Sequence, residues 1–137
     1  MLISEIILDD KIIDKIVSDC IKKYDSVNEI SFNNLVEVSQ KIDIYHNYGI
    51  IYFLLLDGEL KYIGKSRGRY FRQRMKSHFF DASKGTSSKY DFISKSKGKT
   101  TLKFLKIKPE SLRNLIEEIL ISKFDIKNGW NYKKFKQ

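Results

Sequence analysis

The stretch GIIYFLLLDGELKYIG, residues 49–64, decides the fold. Gly49 to Leu56 is an apolar run with β-branched and aromatic residues, and Glu59 to Gly64 is a second strand-like segment. Asp57-Gly58 between them is a strong hairpin signal, because both residues tolerate the positive φ that tight strand connections need. A lone hairpin is not stable in water, so the flanking sequence must cover it. Downstream, residues 69–80 have helical spacing, with Phe71, Met75 and Phe79 on the core face and Tyr70, Arg74 and His78 sharing the adjacent one. Residues 81–99 are rich in Ser, Lys and Gly and read as a polar loop with one helical turn near Tyr90–Ile93. Thr100–Ile107 alternates as a third strand, and Pro109 stops it and opens a helix over 112–124.

Upstream, residues 9–24 carry Ile12, Ile13, Ile16, Val17, Cys20, Ile21 and Tyr24 at amphipathic-helix spacing, with Asp9 and Asp10 as cap and first-turn charge. A short helix is expected after Ser31, with Leu35, Val36 and Val38 as its apolar positions. The order is α-α, then β-β-α-β-α, an α/β chain of the α+β kind. Residues 1–46 are expected to form an acidic helical packing unit, and residues 47–137 the main domain.

Charge divides the chain at the same place. Residues 1–46 hold five Lys/Arg and nine Asp/Glu, a balance of −4, and residues 47–137 hold 21 and eight, a balance of +13. So basic a half suggests a polyanion partner, since each cation set against a phosphate releases condensed counterions; the bland alternative is an inert basic surface. One cysteine, Cys20, excludes an internal disulfide and a multi-cysteine zinc site, and His46 and His78 are too few for a histidine metal cluster. The apolar runs are too short to span a bilayer and no signal peptide is visible, so a cytoplasmic location is expected.

Two groups carry chemistry by their placement. Arg74 and His78 are four apart on one helix face, where a guanidinium offers a fixed fork of donors to an anion and an imidazole could shuttle a proton or bind phosphate near neutral pH. Their alternative is a solvated basic helix among Lys65, Arg67, Arg69, Arg72 and Lys76. On a helical wheel, Leu112, Leu115, Ile116, Ile119 and Leu120 form the main apolar arc of the last helix. Glu117 falls between Leu120 and Ile121, whereas Glu118 faces solvent. A carboxylate in apolar surroundings is costly unless paired or metal-bound.

Gly49-Ile50-Ile51-Tyr52, Tyr62-Ile63-Gly64, Arg74-x-x-x-His78, Glu117 and Asn131, in that order, resemble the GIY-YIG nuclease family. The resemblance runs from about Tyr48 to Tyr132. It implies a small three-stranded antiparallel sheet flanked by helices. The first motif departs from the pattern: either Ile51 replaces the tyrosine, or Tyr52 is the tyrosine and its glycine has become Ile50. A three-residue loop would pair Tyr52 with Tyr62 on one face, whereas a two-residue turn would pair Phe53 with Tyr62. The three-residue loop is the expectation.

The resemblance implies catalytic roles for Tyr52, Tyr62, Arg74, His78 and Glu117, with Glu117 as the single protein ligand of one Mg²⁺ or Mn²⁺ completed by water and substrate phosphate. Gly64 and Asn131 would support the site, and the linker before Asn131 is longer than usual. Lys65, directly after Gly64, is expected within reach of the same face, where it could contact the scissile phosphate or assist proton transfer. Double-stranded DNA is the expected partner. Lys65, Arg67, Arg69, Arg72, Lys76 and the loop lysines Lys84, Lys89, Lys95, Lys97 and Lys99 are its candidate backbone contacts. The expected function is a metal-dependent endonuclease of restriction or mobile-element type, possible as a homodimer. The alternative is a nucleic-acid-binding module of the same fold without catalysis.

Overall fold

The computed structural model describes residues 3–31, 47–76 and 100–124, apart from the side chains of Arg72, Arg74 and Lys76. The expected helix after Ser31 and the polar loop at 81–99 lie outside the described residues. Among those described, helix α1 spans Asp10–Ser26, strand β1 Ile30–Ser31, β2 Gly49–Leu56 and β3 Glu59–Arg67. Helix α2 then spans Gly68–Lys76, strand β4 Thr100–Ile107 and, after a 3-10 turn at Glu110–Leu112, helix α3 Arg113–Phe124.

The sheet is antiparallel with order β1-β4-β2-β3. It has four strands where three were expected. The addition, β1, pairs Ile30 with Leu102 and Ser31 with Thr101. Two residues carry no alternating pattern, so such a strand is invisible to periodicity; it forms because it caps part of the outer edge of β4 and buries Ile30. Strand β3 also runs on to Arg67, three residues beyond its expected end.

The hairpin corrects the expected loop. Asp57 and Gly58 alone form the turn, with φ of 52° and 83°, and Leu56 pairs with Glu59. Positive φ at both central residues suits the right-handed twist of the strands. The register then shifts between Leu54 and Leu55: Leu55 faces Leu60, but Leu54 faces Tyr62. One extra residue on β3, a β-bulge at Lys61, brings the two tyrosines to one face as the longer loop was expected to, but without the expected Tyr52–Tyr62 pairing. Tyr52 therefore faces Gly64, and Tyr62 lies diagonally beside it on the same sheet face.

Alternation along β2 separates two cores, which is why all eight of its residues are apolar or glycine. Ile50, Tyr52 and Leu54 pack with Tyr62, Leu102, Ile30 and the α2 residues Phe71 and Met75. Ile51, Phe53 and Leu55 pack on the other face with Ile63, Leu105, the α3 residues Ile116 and Leu120, and Cys20 of α1. Asp9 caps α1 by accepting from the Lys11 amide at 2.9 Å. Tyr24 of α1 meets Phe53 edge-on at 4.8 Å between ring centroids. Helix α1, part of the acidic segment expected to pack by itself, thus shares a core with the sheet. Its buried face is narrower than its apolar stripe, since Ile12 and Ile21 are exposed. No helix among the described residues is long and apolar enough to cross a membrane.

Candidate active site

Tyr52 and Tyr62 are fully buried, and their rings stack at 5.9 Å between centroids and 29° between planes. Phe71 of α2 closes on Tyr52 at 5.5 Å, so the helix after Tyr-Ile-Gly is anchored on the phenol pair. Gly64 sits directly across from Tyr52, and a Cβ at this position would collide with the Tyr52 ring. The glycine of the second motif is thus a space requirement of the tyrosine in the first. This arrangement selects Tyr52, rather than the position of Ile51, as the residue paired with the Tyr-Ile-Gly segment.

Glu117 lies within the buried arc of α3 and not at its rim. The helix docks through Ile116, Leu120, Ile121 and Phe124, and it leaves Leu112 and Leu115 exposed. The apolar arc expected from the wheel has rotated toward Ile121, which draws Glu117 inward; Glu118 faces solvent as expected. The Glu117 side chain is about nine-tenths buried, and its Oε1 stands 3.5 Å from Lys65 Nζ. An ammonium at this distance offsets the cost of burying the carboxylate.

The described candidates therefore form two pairs, not one cluster. Opposed residues of an antiparallel pair share a sheet face. Tyr52, Gly64 and Tyr62 lie on the α2 face, whereas Lys65, opposite Ile51, lies on the α3 face with Glu117. Both pairs draw a residue from β3, which lies next to β2 in the sheet order. Arg72, Arg74 and Lys76 fall on α2, but their side chains are outside what the structure describes; His78, Asn131 and the loop lysines Lys84, Lys89, Lys95, Lys97 and Lys99 lie outside the described residues altogether. Arg67 is half-exposed, 3.4 Å through Nε from Glu110, and Arg69 is exposed beside the Tyr70 ring.

At the far end of the sheet, Gly49 meets the Glu110 carbonyl and Arg113, and Arg113 donates to that carbonyl at 3.2 Å. The first glycine of the motif thus lets the turn before α3 close on β2, and this positions Glu117 along the helix.

No group of three or more His, Cys, Asp or Glu stands together among the described residues. A cation here would have Glu117 as its protein ligand and water for the rest of its shell, which suits Mg²⁺. The residues fit such an ion if Lys65 swings away, and its side chain is about a third exposed. Elsewhere, burial and then the charge of Asp19 push the Cys20 thiol above its ordinary value of 9.0. That is the opposite of what a nucleophile needs.

Compared with protein-family models, curated proteins and solved structures, the chain matches none.

Proposed function

We propose that this chain is a metal-dependent nuclease that hydrolyses phosphodiester bonds of double-stranded DNA, on a GIY-YIG-like fold. The observation that carries the proposal is the Lys65–Glu117 pair: a carboxylate from the last helix returns to the residue that follows Tyr62-Ile63-Gly64. A solvated helix-edge glutamate would not be buried at that point. The strong basic balance of residues 47–137 supports a nucleic-acid substrate.

In this reading Glu117 holds one Mg²⁺ or Mn²⁺, which would supply charge stabilisation to the phosphate and the leaving oxygen. Lys65, released from Glu117, faces the substrate phosphate as a mobile point charge. Arg74 neutralises non-bridging oxygens with its fixed fork of donors, and His78 shuttles a proton near neutral pH. Tyr52 has no solvent exposure, so accepting a proton from the attacking water requires a relay. The stacked phenols and Gly64 also hold β3 in register, and with it Lys65. One site per chain cuts both strands only as a homodimer or by successive nicks.

One observation favours a second reading, a DNA-binding module without catalysis: the phenols and the carboxylate lie on opposite sheet faces, and Lys65 already neutralises Glu117. Relaxation of supercoiled plasmid with Mg²⁺, against the same reaction in EDTA, separates the two. Mg²⁺-dependent relaxation supports the nuclease. Binding in EDTA without relaxation supports the module, and neither activity overturns both.

A further inference from the structure

A basic site at the Gly49 end of the sheet belongs to neither the phenol pair nor the Lys65–Glu117 pair. Tyr48 immediately precedes β2, and its carbonyl accepts from the Gly68 amide at 2.7 Å, which ties it to the start of α2. Lys106 Nζ stands 5.1 Å from the centre of the Tyr48 ring, and Lys108 Nζ stands 5.7 Å from it. The ring is half-buried and both lysines are exposed. Lys106 pairs with Ile50 across β2 and β4, so it lies on the sheet face of Tyr52 and Tyr62. Arg69, one residue into α2 and exposed, adds a further cation near this end.

The Tyr48 ring thus has two exposed cations beside it. The ring holds both side chains close to where a bound anion would meet them, which lowers the entropy cost of binding. A phosphodiester backbone supplies such anions at regular intervals, and point-charge lysines suit non-bridging oxygens without demanding a base sequence.

We propose that Tyr48, Lys106 and Lys108 form a backbone-contact site that seats a DNA strand across the β2–β4 end, on the phenol-bearing face. The proposal rests on the DNA-binding part of the reading above and not on its chemistry.

The test is fluorescence anisotropy of a fluorescein-labelled DNA duplex with the full chain in EDTA, over a range of salt. The Lys106→Gln/Lys108→Gln variant is compared with Lys15→Gln/Lys22→Gln, which loses the same charge from two exposed α1 positions. The first pair should lower the slope of log affinity against log salt by about two and the control should leave it unchanged, since each phosphate contact contributes roughly 0.9. Tyr48→Ala, which keeps both charges but removes the ring, should weaken binding about threefold, and Tyr48→Phe should restore it. Equal slopes in the two double variants, or no salt-dependent binding by the wild type, overturn the proposal. Failure of plasmid cleavage alongside the expected slope change overturns only the hydrolytic reading.

Discussion

Replacing Gly64 with alanine tests the contact between the two motif segments directly. A Cβ there would fall onto three atoms of the Tyr52 ring, Cζ, Oη and Cε2. The ring has no exposure and is held between Tyr62 at 5.9 Å and Phe71 at 5.5 Å, so it cannot swing aside without displacing both. Overpacking a filled core costs about 1–3 kcal/mol, and with ring atoms on both sides the upper end applies. Restricting the unfolded chain returns about 0.4–1 kcal/mol. The net loss is about 2 kcal/mol or more, which at a urea dependence of about 1–3 kcal/mol per molar lowers the unfolding midpoint by roughly 1 M.

Two other glycines calibrate the result. Gly49→Ala brings a Cβ to 3.0 Å from the Glu110 carbonyl and should cost about 1 kcal/mol. Gly58→Ala has open space but sits at φ +83°, so it should lose about 1–2 kcal/mol through the backbone alone. In a Tyr52→Leu background the obstruction is gone, and the Gly64→Ala penalty should fall below about 1 kcal/mol. A Gly64→Ala midpoint at or above that of the wild type refutes the reasoning, as does an undiminished penalty in the Tyr52→Leu background.

Glu117→Ala and Arg74→Ala should each abolish Mg²⁺-dependent plasmid cleavage while duplex affinity in EDTA changes less than about threefold, and cleavage retained by either variant removes that residue from the chemistry. Lys65→Ala leaves the Glu117 carboxylate buried without its ammonium. It should destabilise the fold by about 1–2 kcal/mol in urea, less than for a fully buried pair because the lysine is partly exposed. Lys65→Ala/Glu117→Leu should recover most of that loss. Burial raises both the Cys20 thiol and the Tyr24 phenol in the folded chain, with Asp19 adding to the first and Glu29 and Asp25 to the second. Above their ordinary values of 9.0 and 10.0 the unfolded chain gives up these protons more readily than the folded one, so stability should fall as pH rises past about 9. Urea midpoints that stay level across that range would contradict the assignment, and Cys20→Ala should remove the lower-pH part of the decline.

Local patterns carry much of the described fold because the relevant forces act within a few residues. The alternation of Thr100–Ile107, the start of α1 at the Asp9 cap and the turn residues Asp57-Gly58 each set their own element. The separation of Glu117 from Glu118 is likewise a property of helical spacing. The expectation that Lys65 reaches the face of the phenols misses one such local rule: residues three apart on a strand face opposite ways, so Lys65 stands across the sheet from Tyr62.

The tertiary structure decided what depends on partners distant in sequence. The bulge that puts Tyr52 and Tyr62 on one face is a choice among registers, and it is made by burial of the two stacked rings, with Phe71 against Tyr52. Strand β1 exists because β4 offers it an edge, and the inward turn of Glu117 follows from how α3 docks against the sheet and α1. Sequence patterns identify which residues prefer water and which do not. Only the packed chain determines which of them share a face, because that is settled by the sum of contacts and not by any one segment.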